Sequence, residues 1–248
     1  MKLLSIGNSF SQDAHKWLFH IGQSSGERIE AVNLYIGSCY LEKHWNLFIS
    51  EKEDYDLEIN GDFVRKISLP DALRLQKWDV ITFQQASPQS GDYDTYQPYL
   101  NNLYQATRTL CPDARCYIHQ TWAYEMDCPL KAFDIYDRSQ NQMYLRLRTA
   151  YLQASKDLDI PLIPCGDVIQ HLRQTEPQFN PEKGGQPLTR DGFHLSRIYG
   201  RYAAALCWYG VLMEKDVREV KFVPAEQEQT AEETLLRKIR EAVYVHIK

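Results

Sequence analysis

Long apolar runs are missing from this 248-residue sequence, and with them any stretch of the roughly 20 apolar residues that a membrane-spanning helix needs. A basic excess is missing too. The 28 Lys and Arg face 33 Asp and Glu, for a formal net charge of -5. Phosphate binding needs clustered cations, so nucleic acid is excluded as the main partner, and no membrane partner is expected either. No C-x-x-C pair occurs among the six cysteines, Cys39, Cys111, Cys116, Cys128, Cys165 and Cys207. Their scatter argues against a zinc ribbon or a thioredoxin-type redox motif. They read as free, mostly buried thiols of a reducing compartment. The apolar start MKLLSI is too short for the core of a signal peptide. A cytoplasmic protein is therefore expected, or a periplasmic or secreted one if a leader has been removed. Internal repeats and low-complexity segments are absent as well.

What is present is the make-up of an ordinary globular domain, 44% hydrophobic and 25% charged. Its length suits one α/β domain over residues 1–248. Strand-like runs at 1–6, 28–36, 78–83, 115–119 and 161–165 alternate with helical periodicity at 13–21, 41–49, 98–110, 134–158, 166–173 and 198–212. That alternation predicts parallel strands with right-handed crossovers, a three-layer α/β/α sandwich around a five-stranded, mostly parallel sheet. Residues 51–70 alternate around Asn60-Gly61, which predicts a hairpin outside the main sheet. Asp167 is the expected cap of the helix that it opens. A C-terminal helix is expected over 230–247, with Thr230 and Glu233 as its capping box.

Polar residues gather just after the strands. Gly7-Asn8-Ser9 follows the first, Gly37 the second, Gln84-Gln85-Ala86-Ser87 the third and Gln120-Thr121-Trp122-Ala123-Tyr124 the fourth. A Ser at the end of a parallel strand, opening a helix, stands where open α/β sheets bind ligands. The N–H groups at that helix end favour developing negative charge. The same pattern also fits Ser9 or Ser11 as a plain helix cap. A nucleophilic Ser needs a base and the base an orienting group. His194, three residues after Asp191, and His119, at a strand end, compete for the base. His15, His20, His44 and His171 lie on expected helices, and His246 lies near the C-terminus.

Gly7-Asn8-Ser9, Gly37 and Asp191-x-x-His194, in this order and this far apart, resemble the blocks of the SGNH (GDSL-type) hydrolases. The wording IGNSFSQDA, FQQASPQSGDY, HQTWAY and DGFHLSRIYGRYAAAL is similar to a bacterial branch of that family largely without assigned activity. The resemblance implies the flavodoxin-like fold of that family and an ester hydrolase with Ser9 as nucleophile, His194 as general base and Asp191 orienting it. It implies no metal or organic cofactor. The oxyanion hole would be made by the backbone of Ser9 and Gly37 together with a side-chain amide. The family's Gly-x-Asn-Asp block is replaced here by Gln84-Gln85-Ala86-Ser87. Gln85 is the expected donor, with Gln84 as the alternative, as in the Gln-containing motif of sialate O-acetylesterases. Trp122, Tyr124 and Tyr93 are expected to line the mouth. The implied substrate is a small molecule or glycan carrying an O-acetyl or other short acyl group. A non-catalytic carbohydrate binder and an acyltransferase using the same triad are the alternatives. Oligomeric state is not legible.

Overall fold

The computed structural model describes residues 1–226 and 229–248. The elements run β1 (Lys2–Gly7), α1 (Ser9–His15), α2 (Leu18–Ser24), β2 (Glu30–Tyr35), α3 (Leu41–Ser50), β3 (Tyr55–Ile59), β4 (Asp62–Ile67) and α4 (Leu69–Arg74). They continue with β5 (Val80–Phe83), α5 (Tyr99–Leu110), β6 (Arg115–His119), α6 (Gln140–Leu158), β7 (Leu162–Ile163), α7 (Cys165–Thr175) and α8 (Tyr199–Met213). A two-stranded ribbon of β8 (Ala225–Glu226) and β9 (Gln229–Thr230) precedes α9 (Glu233–Ile247).

β1 is the hub. The sheet order is β4-β3-β2-β1-β5-β6-β7, and β2, β1, β5, β6 and β7 are mutually parallel. Leu3, Leu4, Ile6, Val32, Leu34, Val80, Ile81 and Phe83 are all buried, as expected of strands covered on both faces. On one side of the sheet α8, buried along most of its length, packs against α1, α2, α7 and α9, while α3 packs against α4 and α5. The chain winds outward from β1 to β2 and then returns to β5 on the other flank of β1. The crevice beyond the carboxyl ends of β1 and β5 is therefore the switch point at which such sheets take ligands, and α1 opens there with Ser9.

The 51–70 hairpin corrects the five-stranded expectation. β3 pairs antiparallel with β2, and β4 with β3, so the central sheet has seven strands. The alternation that suggested a separate hairpin also gives β3 an apolar face, and Tyr55 and Leu57 are buried by joining the sheet. Asn60 and Gly61, at φ 53° and 94°, supply the two positive φ angles of a tight hairpin turn.

Four other boundaries differ. The 13–21 helix is two, α1 and α2, with Trp17 between them and Asn8 as the cap of α1. The 134–158 helix starts only at Gln140, because Asp137 and Arg138 take positive φ and Ser139 caps α6. Pro164, not Asp167, precedes the first residue of α7, and Asp167 lies inside its first turn. Thr230 belongs to β9, so the Thr230–Glu233 capping box does not form, and α9 begins at Glu233.

Candidate active site

The turn after β1 is built to release Ser9. Asn8 accepts the Phe10 N–H on Oδ1 (2.9 Å), and its own N–H donates to Ser11 Oγ (3.1 Å). Asn8 and Ser11 thus do the capping, and Ser9 is left as the first helical residue with its hydroxyl unused by the cap. Gly7 is required by space, since a Cβ there would lie 2.1 Å from Ser11 Oγ. Ser11 Oγ in turn donates to Asn33 Oδ1 (2.7 Å), whose amide donates to the buried Glu58 (2.9 Å).

Ser9 Oγ lies 2.9 Å from His194 Nε2, and His194 Nδ1 lies 2.7 Å from Asp191 Oδ2. The other oxygen of Asp191 accepts the N–H groups of Phe193 (3.2 Å) and His194 (2.7 Å). Burial pushes the Asp191 carboxyl up. The hydrogen bonds from the His194 ring and from those two backbone groups outweigh it and hold the carboxyl below its ordinary range. Gly192 makes this tight turn possible. Its φ is 87°, and a Cβ on it would lie 2.6 Å from Cys128 Cα.

A second carboxylate, not singled out by the sequence, fastens the turn to α1. Asp13 is fully buried. It receives Arg190 Nη1 (3.0 and 3.1 Å), Arg201 Nε (2.8 Å) and the Leu195 N–H (2.8 Å). Arg190 also donates to the Leu195 carbonyl. Ser9 and Asp13 are four residues apart, hence on one helix face. That face holds His194 at one end and the flanks of its loop at the other. The i, i+4 spacing was the signal available in the sequence.

His119, the rival base, is buried away from this chain of bonds. Its Nδ1 meets Gln84 Oε1 (2.8 Å), and its ring stands edge-on to Trp208. Gln85, the expected side-chain donor, is turned away from Ser9, whereas Gln84, the alternative, is held by the residue just before Ser9. Gln84 Nε2 donates to Asn8 Oδ1 (2.8 Å). Gln85 Nε2 donates to the carbonyl and hydroxyl of Thr95 (3.1 and 3.0 Å). Gln85 Oε1 accepts the N–H of Leu41 (3.1 Å) and of Ala86 (2.8 Å). Leu41 is the first residue of α3, and such an N–H has no partner inside its own helix. It captures the Gln85 carbonyl and turns the amide away from Ser9.

Gly37 is exposed, and a Cβ there would meet only the Tyr35 hydroxyl at 3.5 Å, so the space beside it is open. The positive φ in this turn falls on Ser38 instead. The Cys39 carbonyl accepts from Asn8 Nδ2 at 3.4 Å, which brings the turn up to the residue before Ser9.

Trp122 and Tyr124 do not line a mouth. Trp122 is buried, stacks on Phe10 at 4.4 Å and donates to the Phe193 carbonyl (2.7 Å). Tyr124 is buried with its hydroxyl 2.9 Å from Ser87 Oγ and its ring edge-on to Phe193. Both support the His194 turn from beneath. Tyr93 is partly exposed and is bonded to Asp157 of α6. Among the described residues no three His, Cys, Asp or Glu side chains gather as a metal site, no helix is long and apolar enough to cross a membrane, and all six cysteines are free and buried.

No curated protein matches the sequence. A crystal structure of a DUF4886 family protein from Bacteroides uniformis ATCC 8492 is similar at 32% identity and a TM-score of 0.88, over 100% of this chain and 94% of that one. A candidate SGNH hydrolase from Slackia heliotrinireducens shares the fold at 21% identity and a TM-score of 0.58, over 86% of this chain and 98% of that one. Axe2, an acetylxylan esterase from Geobacillus stearothermophilus, shares it at 15% identity and a TM-score of 0.51, over 89% and 94%. The sheet, mostly parallel with helices around it, is thus that of the SGNH hydrolases. The sequence matches the family described as "Domain of unknown function (DUF4886)" across residues 2–242, and the chain belongs to that family.

Proposed function

We propose that the protein is a serine esterase that removes a short acyl group, most simply acetyl, from a hydroxyl of a carbohydrate. The observation that carries this reading is the continuous bonded chain Ser9 Oγ–His194–Asp191 at the switch point of the sheet. His194 Nε2 takes the Ser9 proton as Oγ attacks the ester carbonyl. Asp191 holds the proton on Nδ1, so that Nε2 is the free acceptor, and stabilises the imidazolium that forms. The oxyanion lies against the N-terminus of α1, where the Ser9 N–H is available, and against the Gly37 backbone. The Gln85 amide is committed to Thr95, so the hole rests on these backbone donors, with the second N–H of Gln84 Nε2, whose first goes to Asn8 beside Ser9, as the side-chain alternative. Collapse of the intermediate returns the His194 proton to the departing alcohol and leaves the acyl group on Ser9. A water molecule, deprotonated by His194, then releases the acid.

The test is incubation with p-nitrophenyl acetate and, separately, with a fluorophosphonate. The expected results are turnover of the ester and one phosphonyl adduct on the peptide that contains Ser9. A protein that is neither labelled there nor active on any acetyl ester overturns the proposal. Product analysis with a sugar alcohol in excess separates hydrolysis from acyl transfer.

Asp13 acts on this chemistry as a positioning residue. Asp13→Ala leaves two guanidinium groups and the Leu195 N–H without their shared acceptor. Breaking a buried pair of this kind costs about 3–5 kcal/mol. Arg190 is 28% exposed, which places the expectation at the low end. For a chain of this length the melting point then falls on the order of 10 °C. Asp13→Asn keeps one acceptor oxygen, but it loses the charge and puts an NH2 donor against groups that are themselves donors. The loop shifts, and a displacement of about 1 Å at His194 lowers kcat by about 100-fold, while KM changes little. Wild-type kcat in a folded Asp13→Asn protein removes the positioning role.

A further inference from the structure

The loops on either side of the His194 turn enclose a cavity of about 570 Å3, within the size range of small-molecule sites. The segments 125–127 and 139–141, the end of α7 and the 180–187 loop form its walls. At its floor Arg173 and Glu125 are both buried. Arg173 Nε and Nη2 face the same oxygen, Glu125 Oε1, at 2.8 and 2.7 Å, and Nη1 donates to the Ala123 carbonyl (2.9 Å). The second oxygen of Glu125 receives Gln140 Nε2 (2.8 Å). Gln170 lines the same cavity, is buried, and its Oε1 has no hydrogen-bond partner in the protein. Buried polar atoms are normally paired; this oxygen is closed off in the present rotamer, and a turn of the Gln170 side chain towards the cavity gives it a partner there.

We infer that this cavity is a subsite for a neutral polyhydroxyl ligand, a sugar ring; on the esterase reading above, the ligand is the alcohol portion of the ester. The charges select for neutrality. The cation at the floor is already neutralised by Glu125, and the carboxylates of Asp127 and Glu182 stand at the wall, so an anion finds no free counter-charge. An apolar chain would desolvate Gln170, Asn141 and Asn180 without replacing their bonds. A hydroxyl both donates and accepts, and it can bond the wall amides and, once that side chain turns towards it, the Gln170 amide. The wall is also joined to the catalytic turn. The Glu125 N–H donates to the Gly192 carbonyl at 2.7 Å, and Gly192 closes against Cys128. A sugar seated here therefore rests against the segment that braces Asp191 and His194.

The binding test uses the wild-type protein and three unesterified neutral sugars, xylotriose, cellotriose and chitotriose, by calorimetric titration. At least one is expected to bind, and Gln170→Leu is expected to weaken it about tenfold, the loss of one buried hydrogen bond. If Gln170→Leu does not fold, Asn141→Trp, at an exposed position in the first turn of α6, fills the mouth and is expected to abolish binding. Absence of binding by all three sugars overturns the inference, as does binding indifferent to the substitutions. The kinetic test compares kcat/KM for acetylated xylotriose with that for p-nitrophenyl acetate. Gln170→Leu is expected to lower that ratio about tenfold, and an unchanged ratio overturns the subsite. If the wild-type protein hydrolyses neither ester, the esterase reading fails, while the sugar titration still decides the cavity.

Discussion

Ser9→Ala is expected to lower kcat/KM for a short acyl ester by about a million-fold, and His194→Ala by a similar factor. The two should not add. Ser9 without a base within reach is a weak nucleophile, and His194 without Ser9 has nothing to deprotonate, so the double variant should be no worse than either single one. The activity that remains in each belongs to the backbone donors and to binding, which both substitutions leave in place. The structure also predicts that the loss is purely kinetic. Ser9 is only half-buried, sits at the first position of α1 and makes its side-chain hydrogen bond to His194 alone. Asn8 and Ser11 cap the helix without it. Ser9→Ala should therefore unfold within about 0.5 kcal/mol of the wild type. Urea denaturation beside an initial-rate assay checks both halves. Turnover that survives in a folded Ser9→Ala protein would remove Ser9 from the chemistry.

The parts of this site legible in the sequence are those that local pattern determines. A Gly-led turn between an apolar strand and a helix placed Ser9, and a three-residue spacing across Gly192 placed Asp191 beside His194. That the strands run parallel followed from the alternation of elements. Side-chain direction in a crowded interior was not legible. Nothing near Gln85 in the sequence says that the first N–H of α3 competes for its carbonyl, because Leu41 is 44 residues away. Trp122 and Tyr124 carry the same large apolar rings whether they face a ligand or a loop, and tertiary packing put them beneath Phe193. β3 was misplaced for a different reason. Its alternation of Tyr55, Leu57 and Ile59 describes a strand with one buried face but does not say which neighbour buries it. Asp13 showed nothing beyond its spacing from Ser9, and its role depends on Arg190 and Arg201, 177 and 188 residues away.

Acid should unfold this protein from just below neutrality, through three buried histidines. His15 meets Ser5 Oγ through Nε2 (2.9 Å), His44 meets the Tyr55 hydroxyl through Nδ1 (2.8 Å), and His119 meets Gln84 through Nδ1. In each ring the other nitrogen is buried without a partner. A neutral imidazole tolerates that arrangement, whereas an imidazolium would bury a second N–H and a charge with no acceptor. Burial accordingly pushes each of the three down to about 3, against roughly 6.5 in an unfolded chain. Between those values the unfolded chain binds protons that the folded chain refuses, so stability is intact above pH 6.5 and is lost as pH falls below it. Three such groups give a slope of up to about 4 kcal/mol per pH unit. Glu58 works the other way. Burial raises its carboxyl, so the folded state holds its proton more tightly and regains a little stability as the pH approaches the carboxylate range. Asp191, held low by its hydrogen bonds, adds to the loss only where carboxylates titrate. The interval from pH 6.5 to pH 5 therefore belongs mainly to the histidines. Urea midpoints measured at half-unit steps across it should fall steeply. A folded His44→Phe variant should show about one proton less in the slope. Midpoints that stay level from pH 7 to pH 5 would mean that these rings accept protons in the folded state.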